Sequence, residues 1–396
     1  MVKIITLLHW LNVGPLVIHE TFDCKGSHLG VQANKKEQSD GICMLVVVLC
    51  CRVTSCCIGN MSDYKQVLKR EQIPEYFWEP GILGGYRPPG ITIKQSLLSI
   101  FSINNETFNV WTHLLALFYN FWYIQQVCNS KTMNDLSADE KAPLLCYMAA
   151  SCIYPLGSII AHTFSSMSEF SQHFAFMLDY LGICIYAFCT ALANIAYAFP
   201  PDWRNTTLEH LFITVNFISA SLAVYLTCKS RFWVLSIHTQ VLRFLGFVLP
   251  YMTSMTVLVY RVAYTSESDA TNHYIYHFVS VFFLTVFYIG HFPESLFPGV
   301  FDIFLHSHQI FHIFASVCTH QKLLGLQRDI ANRYSIVTIP NCIPLMGLFI
   351  LFGSSILGYH IYMKYQDIYS VHKEVKVQLA CQNGWSHTMN GSHKHK

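Results

Sequence analysis

Residues 173–198 read HFAFMLDYLGICIYAFCTALANIAYA, and the only formal charge in the run is Asp179. At the ~1.5 Å rise of an α-helix, a run of this length crosses the ~30 Å hydrocarbon core of a bilayer. The reading is a membrane-spanning helix with a carboxylate inside it. Comparable apolar runs occupy 107–127, 144–164, 207–227, 240–262, 273–292, 303–321 and 337–363, which makes eight expected spans. The weakest by hydropathy is 303–321, which follows Asp302 and carries His306, His308 and His312. Pro155, Pro250, Pro340 and Pro344 fall inside these runs, where neighbouring helices can satisfy the backbone groups that proline frees.

Composition points the same way. Of 396 residues, 53% are apolar, 15% aromatic and only 12% charged, about half the charged share of a soluble domain. So few charges cannot cover a water-facing surface of this size. The formal charge of +2 is thinly spread and forms no basic stripe, so nucleic acid is not an expected partner. The expected class is an all-α polytopic membrane bundle.

Residues 1–60 differ from the rest. The apolar run 42–51 is too short to span, and six of the fifteen cysteines cluster in this region, including Cys50-Cys51 and Cys56-Cys57. They are either palmitoylation sites or incidental, and the remaining cysteines read as small buried hydrophobes. The expected organisation is a poorly ordered extension at 1–60, then a cytosolic N-terminal segment at 61–106. A transmembrane core at 107–321, an eighth span at 337–363 and a tail at 364–396 complete it.

Lysine and arginine set the orientation. With the N-terminus in the cytosol, Lys65, Lys69, Arg70, Arg87, Lys94, Lys229, Arg231, Lys364, Lys373 and Lys376 face inward. Lys131, Lys141, Arg204, Lys322, Arg328 and Arg333 then fall outside, a modest bias for N-inside. The glycosylation pattern Asn205-Thr206-Thr207 is then extracellular, whereas Asn105-Glu106-Thr107 abuts the first span on the inner side.

Ionisable groups within lipid are costly and mark function by default. His308 and His312 stand four apart, so their rings share one helical face, spaced to hold one metal ion or to line a polar cavity as a hydrogen-bonded pair. Ser158 and His162 share a face at the end of the second span. Asp179 has no lysine or arginine in its own span, and a nearby bound cation would favour its ionised form. In the N-inside orientation His162, Asp179 and the start of the seventh span reach the same leaflet. The convergence points to a three-histidine metal site with an open coordination position, the pattern of catalytic rather than structural zinc. Glu106, Asn109 and His113 share a face at that level, and either cap the first span or form a polar layer beneath the metal.

These motifs together resemble the progestin and adipoQ receptor family. The pieces are Glu106-x-x-Asn109-x-x-Thr112-His113, Ser158-x-x-x-His162, Asp179, and Ser307-His308-Gln309-x-Phe311-His312, within residues 75 to 325. Tyr86-Arg87 in a Gly-Tyr-Arg-Pro stretch, the run 162–168, His291-Phe292-Pro293-Glu294 and the eighth span resemble its membrane progestin receptor branch. The resemblance implies a seven-helix core binding Zn2+ through His162, His308 and His312, with Ser158 and Asp179 as the catalytic pair beside it. It implies a plasma-membrane receptor for a steroid or other lipid, acting on an effector such as a G protein. It equally implies, as the alternative, a ceramidase-like zinc amidohydrolase acting on membrane lipids. Zinc as a mere staple between helices is a third reading.

Overall fold

The computed structural model describes residues 67–391 apart from Asn205, residues 233–236 and 265–268, and Arg333, Ser335, Val337 and Pro340. At Ile237, at His372 and beyond Lys373 it describes the backbone alone. The N-terminal extension with its cysteine cluster and the Asn205 sequon lie outside the described residues.

Among the described residues eight long helices overlap the eight apolar runs. In order, α1 (Ile93–Ser99) is short and precedes α2 (Thr107–Cys128); α3 (Lys131–Asn134) links α2 to α4 (Ala138–Phe164). Then follow α5 (Glu169–Tyr197), α6 (Thr207–Lys229), α7 (Ile237–Tyr264), α8 (Asp269–Gly290), α9 (Ser307–Ala331) and α10 (Cys342–Gly391). Among the described residues the extended pairing consists of one isolated bridge, Leu68 with Tyr86.

The helix starts are written locally. Ser137 caps α4, accepting from the Glu140 backbone while Glu140 Oε2 accepts from the Ser137 N–H at 2.8 Å. Ser168 caps α5 in the same way through the Ser171 N–H at 3.0 Å.

Several boundaries depart from the sequence reading: α4 starts at Ala138 rather than 144, α10 continues to Gly391 rather than ending at 363, and two helix starts shift for a clear local reason. The seventh span starts at Ser307 rather than 303 and runs to Ala331. Leu305 has a left-handed backbone and His306 is extended at the N-cap, so the chain cannot be helical before Ser307. The eighth span begins at Cys342, which puts Pro344 in the first turn, where a missing N–H costs nothing.

Six helices, α4 to α8 and α10, are long and apolar enough to cross a membrane by length and composition. The other two long helices, α2 and α9, carry several polar side chains on inward faces. Asn109 and His113 of α2 are buried, as are His312, Thr319, Lys322 and Asp329 of α9. Outward-facing surfaces carry Phe118, Phe121, Ile218, Leu222, Met252, Phe282, Leu348 and Leu351, the apolar exterior that lipid requires. Lys322, expected in an outer loop, is instead fully buried in the middle of α9.

Backbones approach closely where α4 meets α5. A Cβ added at Gly157 would stand 3.1 Å from the Asp179 Cα, and one added at Gly182 would stand 3.3 Å from the Tyr154 Cα. Without a hydrophobic force between helices in lipid, such small-residue contacts are what let backbones approach. This one brings Ser158 and Asp179 onto facing walls. The eighth long helix, α10, packs on α5, α6 and α4, with Phe349 stacked on Phe188 at 4.7 Å.

Candidate metal centre

One end of the bundle gathers the C-terminus of α4, the N-termini of α2, α5 and α9, and the folded N-terminal segment. His162 lies in the last turn of α4, and His308 and His312 in the first two turns of α9. One nitrogen from each of the three rings lies within 4.8 Å of the others, and the group can hold a metal ion.

The ring orientations fit that use. His162 Nδ1 lies 2.7 Å from Glu106 Oε2, which fixes its proton there and turns Nε2 inward. His312 Nδ1 donates to the Asn109 carbonyl at 3.2 Å, with Thr112 Oγ1 at 3.1 Å, so its Nε2 is likewise left for a ligand. His162 Nε2 and His308 Nε2 stand 3.1 Å apart. Two nitrogens on a tetrahedral zinc ion at ~2.0–2.1 Å stand about 3.3 Å apart, so the pair is spaced for a shared ion. Imidazole nitrogens anchored through their second nitrogen to a carboxylate or carbonyl are the usual support of such sites.

Glu106 occupies the N-cap of α2, yet its side chain makes no capping hydrogen bond. Its carboxylate goes to His162 and to Asn109 Nδ2, the latter at 2.7 Å. Glu106 therefore bridges His162 and Asn109 rather than capping the helix that it precedes. His113 stacks on His312 with ring centroids 3.6 Å apart, and neither of its ring nitrogens has a hydrogen-bond partner. Ser158 is buried and its Oγ has no partner. Ser158, Asp179, His113 and the three histidines all line one cavity of about 1300 Å³.

Three further residues support the site without any local sequence signal for that role. Arg87 donates to the His162 carbonyl at 2.6 Å and the Thr163 carbonyl at 2.8 Å, occupying the open carbonyls at the end of α4. Glu294 accepts from the Ser307 backbone N–H at 2.7 Å and from the Ser307 hydroxyl, and so caps α9 one residue before His308. Glu79 lies beside Glu106. Burial, and then the charge of Glu106, push the Glu79 carboxyl well above the usual carboxylate range, so Glu79 carries the proton between them. These partners are distant in sequence, and no periodicity announces them.

The family model described as Haemolysin-III related matches residues 101–323. Membrane progestin receptor gamma of Homo sapiens is 35% identical over 266 residues, 65% of this chain and 80% of the relative. Membrane progestin receptor delta of Mus musculus is 33% identical over 292 residues, 72% of this chain and 84% of the relative. Membrane progestin receptor alpha of Homo sapiens is 30% identical over 302 residues, 73% and 85% of the two chains. The region matched by the family model contains the polar layer, the three histidines and Asp179. The chain is therefore a multi-pass membrane protein of the Haemolysin-III related family, the progestin and adipoQ receptor family whose motifs its polar residues resemble.

Proposed function

We propose that this protein is a steroid-responsive receptor of the plasma membrane, whose ligand occupies the cavity beside a zinc ion held by His162, His308 and His312. The observation that carries the reading is the cavity itself. It lies between apolar helices, reaches the histidine cluster, and is of the size that takes a whole lipid-like molecule. The names of the relatives supply the steroid class.

Three neutral imidazoles with an open side suit zinc better than a hard cation. A zinc ion there supplies Lewis acidity toward a carbonyl or other donor group of the ligand. Glu106 and Asn109 hold two of the rings, Arg87 and Glu294 hold the helix ends that carry them, and the apolar walls exclude water. The N-terminus faces the cytosol, where a signalling effector such as a G protein would be met. Burial of Lys322 within α9 removes one cation from the outer tally and strengthens that assignment.

The experiment is binding of tritiated progesterone to the purified full chain, with metal analysis of the same sample. Saturable binding and about one zinc per chain are expected, and both fall in His308→Ala. Absence of saturable binding to zinc-loaded protein would overturn the receptor reading.

A second reading, ceramidase-like amide hydrolysis, draws on the unpartnered Ser158 hydroxyl and on Asp179 in the wall of the same cavity. Asp179 would accept a proton and Ser158 would orient the reacting group. Asp179→Asn separates the two, because a hydrolase variant keeps its zinc and loses ceramide turnover. Wild-type protein with no turnover and an unchanged steroid response would remove this reading.

A further inference from the structure

The last long helix, α10, meets the core at both of its ends, by different chemistry at each. At the metal end Lys364 Nζ lies 3.8 Å from Glu169 Oε1 of α5. Tyr365 packs edge-on against Phe170 there, with ring centroids 6.0 Å apart. Twenty-two residues before Lys364, roughly 33 Å along the helix, Cys342 opens α10. Its thiol donates to that of Cys146 in α4, with the two sulfurs 3.9 Å apart. Both cysteines are buried and both are free thiols in this structure.

Buried cysteine usually serves as a small hydrophobe, and Cys318 shows that use. It bonds back to its own helix, to the Ala315 carbonyl at 3.2 Å. Cys342 instead turns across a helix interface toward another sulfur. The pair is also remote from the metal chemistry. Cys146 precedes His162 by sixteen residues, roughly 24 Å along α4, which places the two thiols toward the opposite end of the bundle. With the N-terminus in the cytosol, that end faces the lumen of the secretory pathway and then the cell exterior. Disulfides form and persist in those compartments.

We infer that Cys146 and Cys342 form a modification site, closing into a disulfide that ties the start of α10 to α4. The redox compartment rests on the cytosolic N-terminus proposed above; the geometry does not. A disulfide needs its sulfurs at ~2.05 Å, and rotation about the two Cα–Cβ bonds sweeps enough arc to close the gap. The oxidant is a disulfide-bearing donor of the lumen. The loop leading into α10 reaches the lumen before that helix packs, so Cys342 is open to the donor at that stage. Its thiolate attacks one donor sulfur and expels the other. Docking of α10 then brings the mixed disulfide to Cys146, whose thiolate attacks Cys342 Sγ and expels the first donor sulfur. One donor disulfide becomes two thiols, taking two electrons and the two protons that the cysteines release. The closed bond makes α10 a fixed part of the wall to which it contributes Lys364. Reduction leaves α10 held by the Lys364 contact and by packing alone.

The test maps the full chain as cells make it. Membranes are denatured in N-ethylmaleimide and digested without reductant, and the peptides are identified by mass. The expected result is one joined pair of peptides carrying Cys146 and Cys342, released as two by reduction. In Cys342→Ser the Cys146 peptide should appear alkylated. Reductant should lower the thermal midpoint of wild type in detergent and leave that of the variant unchanged. If both cysteines are instead alkylated in wild type, purified protein is treated with diamide, a small uncharged oxidant that accepts two electrons and two protons. Closure under diamide supports the site and overturns the cytosolic N-terminus, because the pair then faces a reducing compartment in the cell. Two alkylated peptides after diamide, or either cysteine joined to a third one, overturn the inference. The mapping needs no variant, so it stands even where Cys342→Ser does not fold, and steroid binding does not enter it.

Discussion

Glu106 Oε2 meets two side chains at once, His162 Nδ1 and Asn109 Nδ2, each at 2.7 Å. The backbone carbonyl of the same Asn109 accepts from His312 Nδ1. The first turn of α2 thus orients rings from two other helices, although it contributes no member of the histidine cluster.

Replacing Glu106 with Gln tests that arrangement. The amide oxygen can still accept from His162, but the negative charge that raises the basicity of the ring is gone. Metal affinity is expected to fall by roughly 10- to 100-fold, the usual effect of losing such an outer partner. Competition against a chromophoric chelator measures it, and an unchanged affinity would show that Glu106 does not support the ligand.

Arg87 makes a different prediction because it acts on the backbone. Arg87→Met removes the donors from the His162 and Thr163 carbonyls and leaves both facing a buried site. Stability is expected to drop by about 2–4 kcal/mol, the scale of losing charge-assisted bonds to buried acceptors. Thermal unfolding in detergent reports it. Arg87→Lys recovers only part, since an ammonium lacks the planar fork that reaches two carbonyls together.

What is legible in the sequence follows from which interactions are local. Apolar runs mark all eight long helices, and the four-residue spacing by itself pairs His308 with His312. His162 joins them through helix direction alone. The register of α9 is less visible, because its polar residues point inward and lower the hydropathy of a helix that is buried. For the same reason Lys322 reads as a loop cation rather than as a buried side chain of α9. Glu79, Arg87 and Glu294 act through partners in other segments, and such contacts have no period to detect.

Gly157 tests how the two walls of the site are brought together. Gly157→Ala puts a methyl group 3.1 Å from the Asp179 Cα, too near for backbone that has no side-chain freedom to yield. The expected cost is ~1–3 kcal/mol, with α4 and α5 forced apart. The separation should also reduce ligand binding while leaving the zinc content intact, because all three histidines lie off this contact. Loss of zinc together with binding would show that the α4–α5 spacing sets the metal site too.

Glu294 tests whether the start of α9 is held from outside the helix. Both its carboxylate oxygens go to Ser307, one to the backbone N–H and one to the hydroxyl, and it is buried. His306 holds the N-cap position without supplying a side-chain cap, so Glu294 does that work from thirteen residues upstream of Ser307. Loss of an N-cap costs about 0.5–2 kcal/mol, and a negative charge at a helix N-terminus adds to what is lost. Glu294→Ala should therefore lower stability and fray the first turn of α9. Because that turn carries His308 while His312 sits a turn deeper, zinc should be held more weakly but not abolished. Glu294→Gln keeps one acceptor and should fall between. The measurement is zinc affinity alongside amide exchange at residues 307–310. Faster exchange with unaltered affinity would mean that His308 is positioned by its ring contacts rather than by the helix start.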